Sequence, residues 1–222
     1  MIYKIRISLV EHIIRLRRII AKFNILLLLC SLLTSCAPSP PNNIENICSI
    51  FKQYPSWYWD ASSVQAEWGL PISVLMAIIY QESQFRANAA PPREKLLWII
   101  PWKRPTSAYG YSQAINGTWK NYQLDTGRMS SNRDAFGDAA SFVGWFTYQA
   151  HIKVGIPMNN AFELYLAYHE GIGGYQLKTY RSKPWLVTVA HKVQLRAQVY
   201  RAQLILCKNS LPKKPWWWFW HN

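Results

Sequence analysis

A single glutamate closes one of the most apolar runs in the chain, Ile78-Ile79-Tyr80-Gln81-Glu82-Ser83-Gln84-Phe85. No Lys, Arg or His lies within three residues of Glu82, so no cation close in sequence offsets its charge. Apolar neighbours and the negative end of a helix dipole both disfavour an ionised carboxylate. A carboxyl so placed holds its proton near neutrality and is suited to protonate a glycosidic oxygen. Two readings stand on this stretch alone: a general acid with a raised pKa, or a solvated group at a helix end.

Two downstream stretches bear on the choice. One is Ser107-Ala108-Tyr109-Gly110-Tyr111-Ser112-Gln113, followed by Asn116-Gly117-Thr118-Trp119; the other is Leu166-Ala167-Tyr168-His169-Glu170-Gly171-Ile172-Gly173-Gly174-Tyr175. His151, His169 and His191 are isolated, and no His/Cys/Asp spacing resembles a zinc or iron site, so no metal and no cofactor is expected.

The elements that must position these residues are helical. Pro71 suits the first position of a helix, where its missing N–H is no loss. From there Ile72, Leu75, Met76 and Ile79 fall at i, i+3, i+4 and i+7 and form one apolar face. This places Glu82 at the end of a helix over about 72–82. A second helix is expected over about 132–153, with Phe136, Ala139, Ala140, Val143 and Phe146 on one side and Asp134 near its start. A third runs from a cap at Asn160 through Phe162, Leu164, Tyr165 and Ala167 to about His169. A fourth, near 184–206, turns Leu186, Val189, Ala190, Val193, Ala197, Tyr200 and Leu204 inward. No alternating strand pattern of useful length and no internal repeat occurs, so the fold class is all-α.

In order and spacing, these stretches resemble the lytic transglycosylases of the soluble (SLT) type, relatives of goose-type lysozyme, over about residues 60–205. That family carries Glu-Ser-x-Phe at the end of an apolar helix, then Gly-Leu-Met-Gln, then Ala-Tyr-Asn-Ala-Gly. Glu82-Ser83-Gln84-Phe85 matches the first motif. Gly110-Tyr111-Ser112-Gln113 matches the second at Gly and Gln, and Ala167-Tyr168-His169-Glu170-Gly171 matches the third at Ala, Tyr and Gly.

The resemblance implies a lysozyme-like fold and cleavage of the β-1,4 bond between N-acetylmuramic acid and N-acetylglucosamine in peptidoglycan. Glu82 would act first as acid and then as base, giving a 1,6-anhydro product, where ordinary glycosidases use two carboxylates. Ser83 and Gln113 would position sugars, and Tyr168 would set a ring and a hydroxyl beside Glu82. Tyr111 and Ser112 stand where the family has Leu and Met, which makes Tyr111 a candidate sugar contact. His169 replaces the motif Asn, as a structural hydrogen-bonding group or as a titrating neighbour of Glu82. Glu170 adds an acid, either as a second carboxylate facing the sugar, which would favour water attack and a muramidase, or as a partner for a nearby base. A wall-binding protein without activity is the alternative of another class.

The ends of the chain read as an address. Residues 1–24 hold six Lys and Arg against Glu11, and Ile25 to Leu33 is apolar but short of the roughly 20 residues that span a bilayer. Leu33-Thr34-Ser35-Cys36 resembles a bacterial lipobox, which makes 1–35 a signal peptide and Cys36 a lipidated anchor. Ala37, rather than an acid, favours the outer membrane over the inner, with the domain facing the periplasm. Residues 36–47 then form a linker, 48–207 the domain and 208–222 a tail. After residue 35, 19 basic residues against 10 acidic ones leave a net charge of +9. Export argues against nucleic acid as the polyanionic partner and for the cell wall or anionic lipid. Cys48 and Cys207 flank the domain and are expected to pair in an oxidising compartment. A Pro-, Trp- and Ile-rich insertion at 91–108 and the basic, aromatic end at 211–222 are candidate membrane or protein contacts.

Overall fold

The computed structural model describes residues 17, 39–96, 100–101, 104–216 and 218, with 95, 96, 100 and 101 described by backbone alone. The expected signal peptide and Cys36 therefore lie outside the described residues, as do parts of the insertion and of the tail.

Among the described residues, seven α-helices form the domain: α1 (Ile47–Gln53), α2 (Pro55–Trp68), α3 (Ile72–Ser83), α4 (Asn116–Thr126), α5 (Phe136–Val154), α6 (Ala161–Gln176) and α7 (Pro184–Cys207). In the insertion, β1 (Lys95–Leu96) and β2 (Ile100–Pro101) make a minimal antiparallel pair with Leu96 opposite Ile100. The fold is all-α, as its sequence periodicity implies.

Helix α3 is the axis of the structure. The apolar face expected over 72–79 is in fact a whole buried cylinder, with Ser73, Val74, Ala77 and Ile78 as buried as Ile72, Leu75, Met76 and Ile79. Helices α2, α5, α6 and α7 all pack against it. A helix apolar all round belongs inside a core, and its end is where polar groups first emerge.

Local signals set the other bounds. Asn46 caps α1 by accepting from Ser49 N at 3.0 Å, and Asn160 caps α6 by accepting from Glu163 N at 3.1 Å. Pro71 is the residue before α3 (ψ 137°) rather than its first helical one. Helix α5 starts at Phe136, four residues later than expected, because Asn132 N donates to Asp138 Oδ2 at 2.8 Å and holds 132–135 as a turn. Helix α6 continues past His169 to Gln176 across a kink at Gly171 (φ 74°, ψ 158°), a conformation that glycine adopts without a Cβ penalty.

Helices α1, α2 and α4 were not expected from periodicity. Helix α1 is only two turns long, with Ile47, Ile50 and Phe51 buried, and the other two bury few residues: Trp57, Ala61 and Val64 on α2, and Trp119 and Tyr122 on α4. Trp57 is nonetheless the hub of the aromatic core. It stacks on Phe136 at 4.2 Å and on Phe85 at 5.9 Å, and meets the edge of Tyr111 at 5.5 Å. Phe85 follows Glu82 and Tyr111 follows Gly110, so one tryptophan fastens both motif segments to the same point.

Cys48 and Cys207 form a disulfide that joins α1 to the end of α7 across 159 residues. Closing so long a loop stabilises by up to about 4–5 kcal/mol on the chain-entropy model. The described part of the tail folds back on α2. Trp59 Nε1 donates to Pro212 O at 2.8 Å, Lys214 Nζ reaches Ser63 Oγ at 3.3 Å, and Trp218 meets Trp59 edge-on at 5.0 Å.

Candidate active site

Helix α3 ends abruptly after Ser83. Gln84 and Phe85 take successive left-handed conformations, φ 51° and 60°, unusual for residues with side chains. This reversal drives Phe85 into the core while Glu82 stays on the last turn. Gln84 N returns to Tyr80 O at 2.9 Å, and Arg86 Nε donates to Ser83 O at 3.0 Å, so the terminal carbonyls are satisfied.

A groove of about 480 Å³ opens over Glu82. Gln113 and Ala114 form one wall, Phe142 and Phe146 of α5 another, and Tyr168, His169 and Glu170 of α6 a third. Thr106 and Ala108, at the end of the insertion, complete the rim. Two larger cavities, about 540 Å³ at Asp60 and about 690 Å³ between α3 and α7, include neither Glu82 nor any residue of the other two motifs. The chemistry therefore selects the smaller one.

Burial pushes the Glu82 carboxyl up to about 7, against a smaller opposing effect of its hydrogen bond with the Tyr165 hydroxyl. Tyr165 is 4 % exposed and is itself raised far above the usual phenol range by burial and by Glu82. The residue expected to set its hydroxyl beside Glu82 was Tyr168. Its ring does line the groove, edge-on to Phe146 at 5.1 Å, but its hydroxyl donates to Ser112 O at 2.6 Å. Residues 165 and 168 lie three apart on one helix face. Both phenols therefore feel the Glu82 charge, Tyr165 also through a hydrogen bond, while Tyr168 in addition ties α6 to the Gly110–Gln113 turn.

That turn is clamped from behind. At Gly110 (φ 79°) a Cβ would lie 2.0 Å from Arg133 O, so no side chain fits. Gly110 N donates to Ala89 O at 2.9 Å and Tyr111 N to Arg133 O at 3.1 Å. Gln113 (φ 50°) donates its amide nitrogen to Ala89 O and Gly110 O, both at 2.8 Å, and lines the groove.

Two expected sugar contacts need correction, and Glu170 takes the second of its two readings, a partner for a nearby base. Tyr111 is fully buried against Trp57 and Phe136, because the turn points it into the aromatic core. Ser83 is 1 % exposed and donates to Ile79 O at 3.1 Å, as a hydroxyl in a last helical turn does when it faces inward. Glu170 borders the groove, yet its side chain is only 3 % exposed and its oxygens are engaged. Lys183 Nζ lies 2.8 and 3.0 Å from them, His169 Nδ1 lies at 3.1 Å, and the Thr179 hydroxyl donates as well. Burial raises this carboxyl, but the hydrogen bonds from Lys183, Thr179 and His169 outweigh it and hold it at about 2. His169 itself sits on the groove wall, edge-on to Trp185 at 5.2 Å.

Tyr165 is the functional candidate that motif reasoning missed. In the sequence it reads as one more apolar residue of α6, and only the packing of α6 against α3 brings it to Glu82. Among the described residues, no group of three or more His, Cys, Asp or Glu could hold a metal ion.

A profile of the transglycosylase SLT domain family matches residues 24–207. The chain belongs to the transglycosylase SLT domain family. The match takes in the groove and all three motif segments. No curated protein and no solved structure matches the chain. Membership of the SLT family assigns the general function of a lytic transglycosylase, a lyase-type enzyme of glycans whose substrate is peptidoglycan.

Proposed function

We propose that this SLT-domain protein cleaves the β-1,4 bond between N-acetylmuramic acid and N-acetylglucosamine with Glu82 as its single acid and base. One observation carries the reading: of the two carboxylates bordering the groove, Glu82 is raised to about 7 while Glu170 is held by Lys183 at about 2. A site with one protonated carboxyl suits a reaction needing one proton donor, which must later take a proton back.

The protonated Glu82 donates to the glycosidic oxygen, and the bond from that oxygen to muramic C1 breaks. The acetamido group of the muramic residue stabilises the positive charge at C1. Glu82, now a carboxylate, takes the proton of the C6 hydroxyl as that oxygen closes on C1. The products are a free 4-hydroxyl and a 1,6-anhydro-muramic end, no water is consumed, and Glu82 is restored to its starting state. Tyr165 orients the carboxyl, and the Gln113 amide oxygen accepts from a sugar hydroxyl or N–H. Phe142, Phe146 and Tyr168 supply apolar walls that exclude water from C1.

Mass spectrometry of peptidoglycan digested by the purified protein tests this. Anhydro-muramic ends that vanish in Glu82→Gln support it. Reducing ends alone identify a hydrolytic muramidase, and strand binding without release identifies an inactive binder. Export with lipidation at Cys36 and outer-membrane residence belong to the same proposal. Metabolic labelling with radioactive palmitate, lost in Cys36→Ala, is the expected outcome.

A further inference from the structure

One wall of the groove continues past the residues that face Glu82. His169 stands on that wall, and beside it lies Trp185, whose ring meets the imidazole edge-on at 5.2 Å. Trp185 is 55 % exposed, whereas Trp57, Trp119 and Trp145 are buried in the core. A single exposed apolar side chain is ordinary on any protein surface. What sets Trp185 apart is how its place beside the groove is fixed.

Pro184 opens α7 with its φ already suited to a helix, and Trp185 is the next residue. Leu186, which follows, is fully buried and anchors this first turn in the core. Lys183, just before Pro184, reaches both carboxylate oxygens of Glu170 at 2.8 and 3.0 Å. Glu170 also holds His169 Nδ1 at 3.1 Å. One carboxylate thus ties the start of α7 to the groove wall and keeps indole and imidazole side by side. Held at about 2, Glu170 is ionised near neutrality and can only accept, so Nδ1 carries the proton. Nε2 has no hydrogen-bond partner among the described residues.

An aromatic face beside a hydrogen-bonding edge is what a pyranose ring needs. In a β-1,4-linked hexosamine the ring substituents are equatorial, and the axial C–H bonds form an apolar face that can lie on an indole. The hydroxyl and acetamido groups at its rim need polar partners, and Nε2 serves a hydroxyl either as acceptor or, once protonated, as donor. The substrate of the SLT family is a polymer, so its strand runs on beyond the sugars that flank the scissile bond. Where it passes the His169 wall, Trp185 is the next surface it meets.

We propose that Trp185 is the platform of a further sugar subsite, which takes the ring face of an N-acetylhexosamine of the bound strand while His169 Nε2 bonds to its rim. Glu170 and Lys183 are then positioning residues, whose ion pair sets the platform against the groove. The proposal rests on reading the groove as a glycan-strand site, and is independent of which product Glu82 makes.

The test is calorimetric titration of the full-length Glu82→Gln chain, in which binding is read without turnover. The probes are peptide-free oligosaccharides of alternating N-acetylglucosamine and N-acetylmuramic acid, from two to eight sugars long. Affinity should rise with length, and adding Trp185→Ala should lower it about fivefold or more for the octasaccharide while leaving the disaccharide unchanged. Trp185→Leu, which keeps apolar bulk without a ring face, should lose as much, and Trp185→Phe should recover part of the loss. A loss equal at every length, no loss at the octasaccharide, full affinity in Trp185→Leu, or no binding at any length would overturn the subsite. Anhydro-end formation by the parent protein is read separately. Its absence, with Trp185-dependent binding intact, removes the proposed chemistry and leaves the subsite; its presence, with binding indifferent to Trp185, removes the subsite alone.

Discussion

Glu82 and Glu170 border one groove, the first at the end of α3 and the second beside the kink of α6, yet they carry opposite protonation. Glu82 emerges from the most buried helix of the fold, faces apolar walls, and has the neutral Tyr165 hydroxyl as its partner. Glu170 is also buried, but Lys183, Thr179 and His169 surround it with donors. Desolvation acts on both in the same direction, and what differs is whether a cation answers it. The contrast gives a separation of labour: a proton donor at the end of α3, and a fixed negative charge that braces the kink of α6 against the start of α7.

The largest expected effect comes from erasing the donor. Glu82→Gln should lower anhydro-product formation by about 10²–10⁴-fold while strand binding in a pull-down with sacculi persists. Glu170→Gln should leave anhydro ends as the product, and a shift to reducing ends would break the comparison. The second effect is on stability. The folded pKa of Glu82 lies above its unfolded value, so the native state binds the extra proton between about pH 4.5 and 7 and loses stability as pH rises through that window. Glu82→Gln should remove this dependence and be more stable than the parent at pH 8, by on the order of 2–3 kcal/mol in urea denaturation.

Glu170 has the opposite sign. Its folded pKa is depressed to about 2, so its stabilisation is present above about pH 4.5 and is lost as pH falls toward 2. Lys183→Ala leaves a buried carboxylate without its cation. It should destabilise by about 1–2 kcal/mol, below the range for fully buried pairs because Lys183 is 39 % exposed. Adding Glu170→Gln should recover part of that loss in thermal unfolding. The smallest effect sharpens the Glu82 side. The Tyr165 hydrogen bond lowers the Glu82 pKa, so Tyr165→Phe should move the alkaline limb of the rate profile to higher pH. A fall in rate of only a few-fold should accompany it, and a lower rate with an unmoved limb would assign Tyr165 to packing alone.

Much of the scaffold is readable in one dimension. Helices α3, α5, α6 and α7 bury periodic apolar residues, and Asn160 caps α6 through its own side chain; such signals act within a few residues. Helices α2 and α4 escape because their contribution to the core is two or three large aromatic and small residues among polar ones. The motif positions are readable too, but not the direction of their side chains. Ser83 and Tyr111 have residue types suited to a sugar and face the core, since a last helical turn and a left-handed turn decide where each points.

The order of three motifs, the absence of a metal-binding spacing and the inward apolar face of α7 are determined by the sequence itself, because each is a matter of residue type and spacing. The proton affinity of each carboxylate, the choice of Tyr165 over Tyr168 as the partner of Glu82, and the capture of Glu170 by Lys183, thirteen residues away, are decided by the tertiary structure. A pKa is set by what lies within a few ångströms through space, and packing brings those neighbours together from distant parts of the chain.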